Sequence, residues 1–156
     1  MSKISVLMSV YKKENPEYLR ASLESILVQT RTADEILLIE DGPLTQELYQ
    51  VVAEYQKKCD YLHVHAMEQN VQLGRALAKG VELCQYDLIA RMDTDDIAMP
   101  DRLEKEEAYM EAHPEVDVVG GAIREFNDEG TIDRVKNMPK TQEEILEYVK
   151  VRNPLN

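Results

Sequence analysis

Leu88-Ile89-Ala90-Arg91-Met92-Asp93-Thr94-Asp95-Asp96 decides the fold. Leu88-Ile89-Ala90 reads as a buried strand that leads directly into the carboxylates of Asp93, Asp95 and Asp96. Three carboxylates within four residues repel one another, so compensating charge is expected beside them. A divalent cation supplies it. Mg²⁺ and Mn²⁺ favour oxygen ligands, and Mg²⁺ usually takes one or two protein carboxylates and keeps positions for water and phosphate oxygens. The bland alternative is a solvated acidic turn that caps a helix beginning near Asp101.

The same strand-then-turn pattern recurs upstream. Ile4 to Val10 is a mostly apolar strand, and Asn15-Pro16 opens a helix whose stripe is Leu19, Leu23, Ile26 and Leu27. Ile36 to Ile39 is a second buried strand, closed by the turn residues Glu40-Asp41-Gly42-Pro43. Leu48, Val51, Val52 and Tyr55 mark the next helix. Leu62, Val64 and Ala66 alternate with His63 and His65, which predicts a half-buried strand near a sheet edge. Leu73, Leu77, Val81 and Cys84 predict a third helix. Downstream, residues 101–112 read as a charged helix, Val116 to Ile123 as another strand and Asn127-Asp128-Glu129-Gly130 as a tight connection. Thr141 with Glu144 forms a capping box for a last short helix. Strands alternating with helices in this way predict an α/β fold, with a largely parallel sheet and helices on both faces. No repeat, low-complexity segment or linker interrupts the chain, so residues 1–156 are expected to form one domain.

In such sheets ligands bind beyond the carboxyl ends of the strands. Ser9-Val10-Tyr11, Glu40-Asp41-Gly42 and Asp93-Thr94-Asp95-Asp96 occupy those ends, and parallel strands would bring them to one rim. Asp41 has the chemistry to accept a hydrogen bond from a base-ring N–H, and Tyr11 to stack on the base. Arg75 and Arg91 are candidate phosphate partners, and Asn70 to Arg75 could bring backbone close to a ligand at Gly74. This segment lacks the glycine spacing of a dinucleotide fingerprint or a P-loop. His63 and His65 form a His-x-His pair with no evident third ligand. His113 stands before Pro114 at a helix end and has no assigned catalytic role. Cys59 and Cys84 lack metal-type spacing and read as reduced, buried thiols.

Composition narrows the classes. The chain has 156 residues, 44% of them hydrophobic, which suits one folded domain rather than disorder. Its formal net charge of −12 argues against nucleic-acid binding. The same charge requires that any diphosphate be held by local cations or a bound metal. No stretch approaches the roughly 20 apolar residues that span a bilayer, and the N-terminus reads as a first strand rather than a signal peptide.

The ordered set of motifs resembles the inverting family-2 glycosyltransferases of GT-A fold, especially bacterial enzymes of surface-polysaccharide assembly. The matching elements are Ile4 to Tyr11, Leu23 to Thr30, Asp34 to Gly42, Asn70 to Gly80, Leu88 to Asp96, Met99 to Arg102, Val118 to Gly120 and Arg152-Asn153-Pro154. The resemblance implies a Rossmann-like, mostly parallel central sheet and transfer of a sugar, with inversion, from a nucleotide-diphosphate sugar. UDP-sugar is the expected donor, and a glycan or lipid-linked hydroxyl the acceptor. It places Ser9, Val10 and Tyr11 at the uridine pocket, Asp41 on the uracil ring, and Asp93 and Asp95 at the ribose and the Mn²⁺- or Mg²⁺-bound diphosphate. Asn70 and Arg75 fall in the segment that approaches the nucleotide. Glu40 departs from a common Asp, and Pro43 from a frequent Ser.

In this family the chain continues past Asn-Pro into an acceptor-binding half that carries the catalytic base. The resemblance therefore implies a fold truncated at the C-terminus, with a base beyond Asn156, better nucleotide–metal binding than sugar transfer, and exposed apolar surface that favours self-association. Glu125 and Asp128 lie close to the last strand in sequence, but neither is assigned the role of base. The expected location is cytoplasmic, with peripheral association at the inner face of the membrane. Two other readings stand beside this one. The first is a nucleotide-sugar or metal-binding module without catalysis. The second is a haloacid-dehalogenase-like phosphatase, whose nucleophile motif Asp93-Thr94-Asp95-Asp96-Ile97 superficially fits, although that motif normally follows the first strand.

Overall fold

A computed structural model of the chain describes residues 2–127 and 132–154. The elements run β1 (Ile4–Val10), α1 (Pro16–Leu27), β2 (Glu35–Glu40), α2 (Gln46–Lys58), β3 (Leu62–Ala66), α3 (Leu73–Leu83), β4 (Leu88–Asp93), α4 (Arg102–Ala112), β5 (Ile123–Phe126), β6 (Asp133–Lys136) and α5 (Gln142–Tyr148). They divide into two compact units, Met1–Glu107 and Ala108–Asn156.

The first unit holds a four-stranded sheet in the order β3-β2-β1-β4, with every pairing parallel. Side chains alternate across a strand, so each apolar run feeds two cores. Val6, Met8, Val10, Ile36 and Leu38 pack with Leu19, Leu23 and Ile26 of α1 and with Leu48, Val51, Val52 and Tyr55 of α2. Leu7, Leu37 and Ile39 point the other way, onto Ala76 of α3. Helices therefore cover both faces, as the continuous apolar strands predict. The starts of α1 and α2 follow from local chemistry. Asn15 Oδ1 accepts from the Glu17 amide at 2.9 Å with Pro16 in the first turn, and Thr45 Oγ1 accepts from the Leu48 amide. β3 lies at the sheet edge, where His63 is exposed and His65 half-buried.

The expected stripe of α3 is borne out in half: Leu77 and Cys84 pack against Leu7, Leu37 and Ile39. Leu73 and Val81 are largely exposed, while Ala76 and Gly80 are buried. A Cβ on Gly80 would lie 2.3 Å from Leu7 Cδ1, so the missing side chain is what lets α3 approach the sheet.

The second unit contains β5 and β6, paired antiparallel, and α5. The capping box of α5 is present as expected, with Thr141 and Glu144 exchanging their backbone bonds. The expected strand from Val116 to Ile123 is corrected: residues 116–122 join no ladder among the described residues, and the strand begins at Ile123. Val118 is 63% exposed, and an apolar run without a neighbouring strand leaves its backbone groups unpaired by any sheet. The tight connection expected at 127–130 falls mostly outside the described residues.

Candidate functional site

The parallel register carries three strand ends to one edge. Ser9 stands opposite Asp93, and Val10 opposite Glu40. Backbone bonds then join the tips: the Asp41 amide donates to the Val10 carbonyl at 2.8 Å. Tyr11 is 44% exposed just past β1. Val10 shares the tip, but its side chain is wholly buried in the core, so only its backbone faces the rim.

Asp41 is 4% exposed and its carboxylate is engaged. Oδ1 accepts from the Val71 amide at 2.6 Å, and Oδ2 from Asn70 Nδ2 at 2.9 Å. Asn70 Nδ2 also reaches the Asp41 carbonyl at 3.1 Å. Asp41 thus holds the segment before α3 against the tip of β2. Gly42 makes this approach possible. Its φ is +83°, and a Cβ there would sit 2.5 Å from the Asn70 nitrogen. Gln72 carries the same segment into α3 with φ 73°, a left-handed conformation uncommon outside glycine. Arg75 is exposed on α3 and has no side-chain hydrogen bond or ion pair among the described residues.

The acidic cluster lies at the end of β4. One carboxylate oxygen from each of Asp93, Asp95 and Asp96 falls within 4.8 Å of the others. Asp93 is half-buried and the other two are exposed. Arg91, two residues back on β4, pairs with Asp93. Although Asp96 is open to solvent on one side, its carboxyl is held above its ordinary value, first by the protein atoms that displace water around it and then by the charges of Asp93 and Asp95, while Arg91 and Arg102 oppose the rise. Hard oxygen donors this close together fit a Mg²⁺- or Mn²⁺-type ion, because an added positive charge relieves their repulsion.

Sequence reasoning missed what holds this turn. Ser22, Ser25 and Gln29 are buried polar residues on or just after α1. Ser22 Oγ donates to the Asp93 carbonyl at 2.9 Å, the Ala98 amide donates to Ser25 Oγ at 3.0 Å, and Gln29 Nε2 donates to the Met99 carbonyl at 2.7 Å. Gln29 Oε1 then accepts the Leu103 amide at the start of α4. The signal was present: three polar residues at helical spacing beside an apolar stripe are placed to satisfy a neighbouring backbone. Glu40, also at the rim, is 6% exposed with no side-chain partner among the described residues, and burial raises its carboxyl above the ordinary value.

The remaining described sequence candidates stand on other elements. Cys59 and Cys84 are free thiols at the ends of α2 and α3. In the second unit Glu125 pairs with Arg134 at 2.5 Å, and that cation lowers its carboxyl. A lowered carboxyl is a weaker proton acceptor. His113 stacks on Tyr109 and bonds Glu115. Asp128 lies outside the described residues.

The model of the family described as "Glycosyl transferase family 2" matches residues 5–155. The chain belongs to that family. Among its family-2 relatives, an uncharacterized glycosyltransferase of Haemophilus influenzae is 46% identical over 99% of this chain and 58% of its own. The amylovoran biosynthesis glycosyltransferase AmsE of Erwinia amylovora is 43% identical over 97% and 56%. The UDP-Gal:alpha-D-GlcNAc-diphosphoundecaprenol beta-1,3-galactosyltransferase of Escherichia coli is 35% identical over 99% and 56%. The chain thus spans less than three-fifths of these curated relatives. Solved structures show the fold to be GT-A. S. aureus TarS 1-349 in complex with UDP-GlcNAc matches with a TM-score of 0.63 at 23% identity, over 72% of this chain and 32% of that one. The mannosyltransferase PcManGT of Pyrobaculum calidifontis, in complex with GDP-Man and Mn²⁺, gives 0.63 at 15% identity, over 79% and 35%. No helix among the described residues is long and apolar enough to cross a membrane.

Proposed function

We propose that this chain forms the donor site of an inverting sugar transferase that takes a UDP-sugar and a divalent cation. The observation that carries the reading is the parallel register, which puts Ser9 to Tyr11, Asp41 and the Asp93–Asp96 turn on one sheet edge. Asp93 and Asp95 would hold Mn²⁺ or Mg²⁺ beside the diphosphate. When bound, that ion supplies Lewis-acid neutralisation of the leaving diphosphate. Tyr11 lines the base, and Asp41, held by Asn70 and Val71, presents lone pairs to a ring N–H. Arg75 and Arg91 are candidate partners for the phosphates, in a chain whose net charge is −12. In the transfer the acceptor oxygen bonds to the anomeric carbon, the bond to the phosphate oxygen breaks, and the acceptor proton passes to a base. The donors and acceptor named for the relatives support a nucleotide-sugar and a glycan or lipid-linked hydroxyl as the two substrates.

Calorimetric titration of UDP tests the reading. Wild type should bind in Mn²⁺, and EDTA or Asp95→Ala should weaken binding roughly tenfold or more, the loss expected from removing a charge-stabilising ligand. Equal affinity in all three conditions would overturn it. A thermal-shift screen of nucleotide-sugars with Mn²⁺ would identify the donor, because a ligand of the native state raises its melting temperature.

A further inference from the structure

Thr94 lies between the two proposed cation ligands, yet its side chain turns inward and is 3% exposed. Its hydroxyl donates to Glu14 Oε2 at 2.7 Å, and the Ser9 carbonyl lies 3.3 Å away. A hydroxyl has one proton, and the shorter contact with an ionised acceptor claims it. The other oxygen of Glu14 accepts the Asn15 amide at 2.8 Å, and the Glu14 amide donates to the Tyr11 carbonyl at 3.0 Å. Glu14 therefore closes the loop between β1 and α1 upon itself and fastens it to the tip of β4.

We propose that the Thr94–Glu14 hydrogen bond is a positioning device. It fixes the spacing between the loop that carries Tyr11, Lys12 and Lys13 and the acidic turn of Asp93, Asp95 and Asp96. The inference rests on the donor-site reading above. The loop joins no sheet ladder among the described residues, and this bond ties its middle to the end of β4, while the turn bond to Tyr11 sets its internal shape. Its two lysines are exposed cations on the loop that this bond ties to the acidic turn, and a diphosphate held with a cation would have to satisfy both sides at once. An error of about 1 Å in such a spacing is enough to lose most of the benefit of preorganised contacts. Glu14 and Thr94 act through this spacing, and the proposal gives neither a contact with donor or metal.

The test compares Thr94→Val, which keeps the shape and loses the donor, with Thr94→Ser, which keeps the hydroxyl. Glu14→Ala and the double variant Thr94→Val/Glu14→Ala complete a cycle, with UDP affinity in Mn²⁺ and the urea midpoint measured for each. Hydrogen exchange at the Asn15 amide reads the loop without ligand. Thr94→Val and Glu14→Ala should each lose roughly tenfold in UDP affinity, as expected for a bond to a charged group. The double variant should lose no more than either single one, and Asn15 should exchange faster in all three. Thr94→Ser should restore affinity and protection. Should Thr94→Val fail to fold, Glu14→Ala carries the same comparison. Unchanged affinity in Thr94→Val, additive losses, or a Thr94→Ser variant as weak as Thr94→Val would overturn the positioning role alone. A wild type that binds no UDP in Mn²⁺ would overturn the donor-site reading and this role with it.

Discussion

At the residue scale, Gly42 and Glu40 behave oppositely although they flank the same aspartate. Gly42→Ala forces a Cβ against the Asn70 backbone at a positive φ. It should cost about 1–3 kcal/mol in urea denaturation and weaken UDP binding as the Asn70 segment moves. Glu40 is a buried carboxyl whose folded value is raised by burial. Below the ordinary glutamate value both folded and unfolded states are protonated and Glu40 has no effect. As pH rises from there the unfolded chain ionises first, so stability falls, and the loss is complete above the raised folded value. Wild type should therefore lose stability relative to Glu40→Gln as pH rises from about 4 towards neutrality. Parallel urea curves that keep a constant gap would contradict this. The turn at Glu40-Asp41-Gly42-Pro43 was legible from its residue types. The approach of Asn70 was not, because nothing in either segment encodes which distant loop will lie against Gly42.

At the element scale, most of the helices and strands of the first unit were readable because each has a clean period and a local stop. α1 and α2 bury the apolar residues that their spacing picks out. α3 shows the limit of that method. Periodicity selects large residues, of which Leu77 and Cys84 pack on the sheet, yet the residues buried outright are the two small ones, Ala76 and Gly80. Gly80→Ala should destabilise the protein by about 1–3 kcal/mol through overpacking against Leu7. Combining it with Leu7→Ala should cost less than the sum of the single changes, since the added methyl enters the space the leucine leaves. Strict additivity in denaturation experiments would count against this contact. Val116 to Val119 misled for a different reason. A β-branched run states a preference, but a strand exists only where another backbone is free to pair, and no sequence window contains that second backbone.

At the scale of the molecule, stability should be graded across the sheet. β1 and β2 are flanked on both sides and buried on both faces, whereas β3 and β4 each pair on one side. Amides of Val6, Met8 and Leu38 should exchange most slowly in native-state hydrogen exchange, and those of His63 and His65 distinctly faster. Similar rates throughout would indicate that the sheet opens as one body. Net charge was also informative from sequence alone, since −12 already demands a cation wherever a diphosphate is to rest. Charge does not say which acidic groups stand together at the strand ends; the register does.

The strand order also has a bearing on biosynthesis. β1 is made before either of its sheet neighbours but belongs in the interior, between β2 and β4. One flank is sealed when Glu35 to Glu40 emerge, and the other stays open until Leu88 to Asp93 have been translated. At a translation speed of about 5–20 residues per second, a sticky nascent edge persists for several seconds. A strand flanked on both sides once folded is thus the one that waits longest with an unpaired edge while the chain is being made.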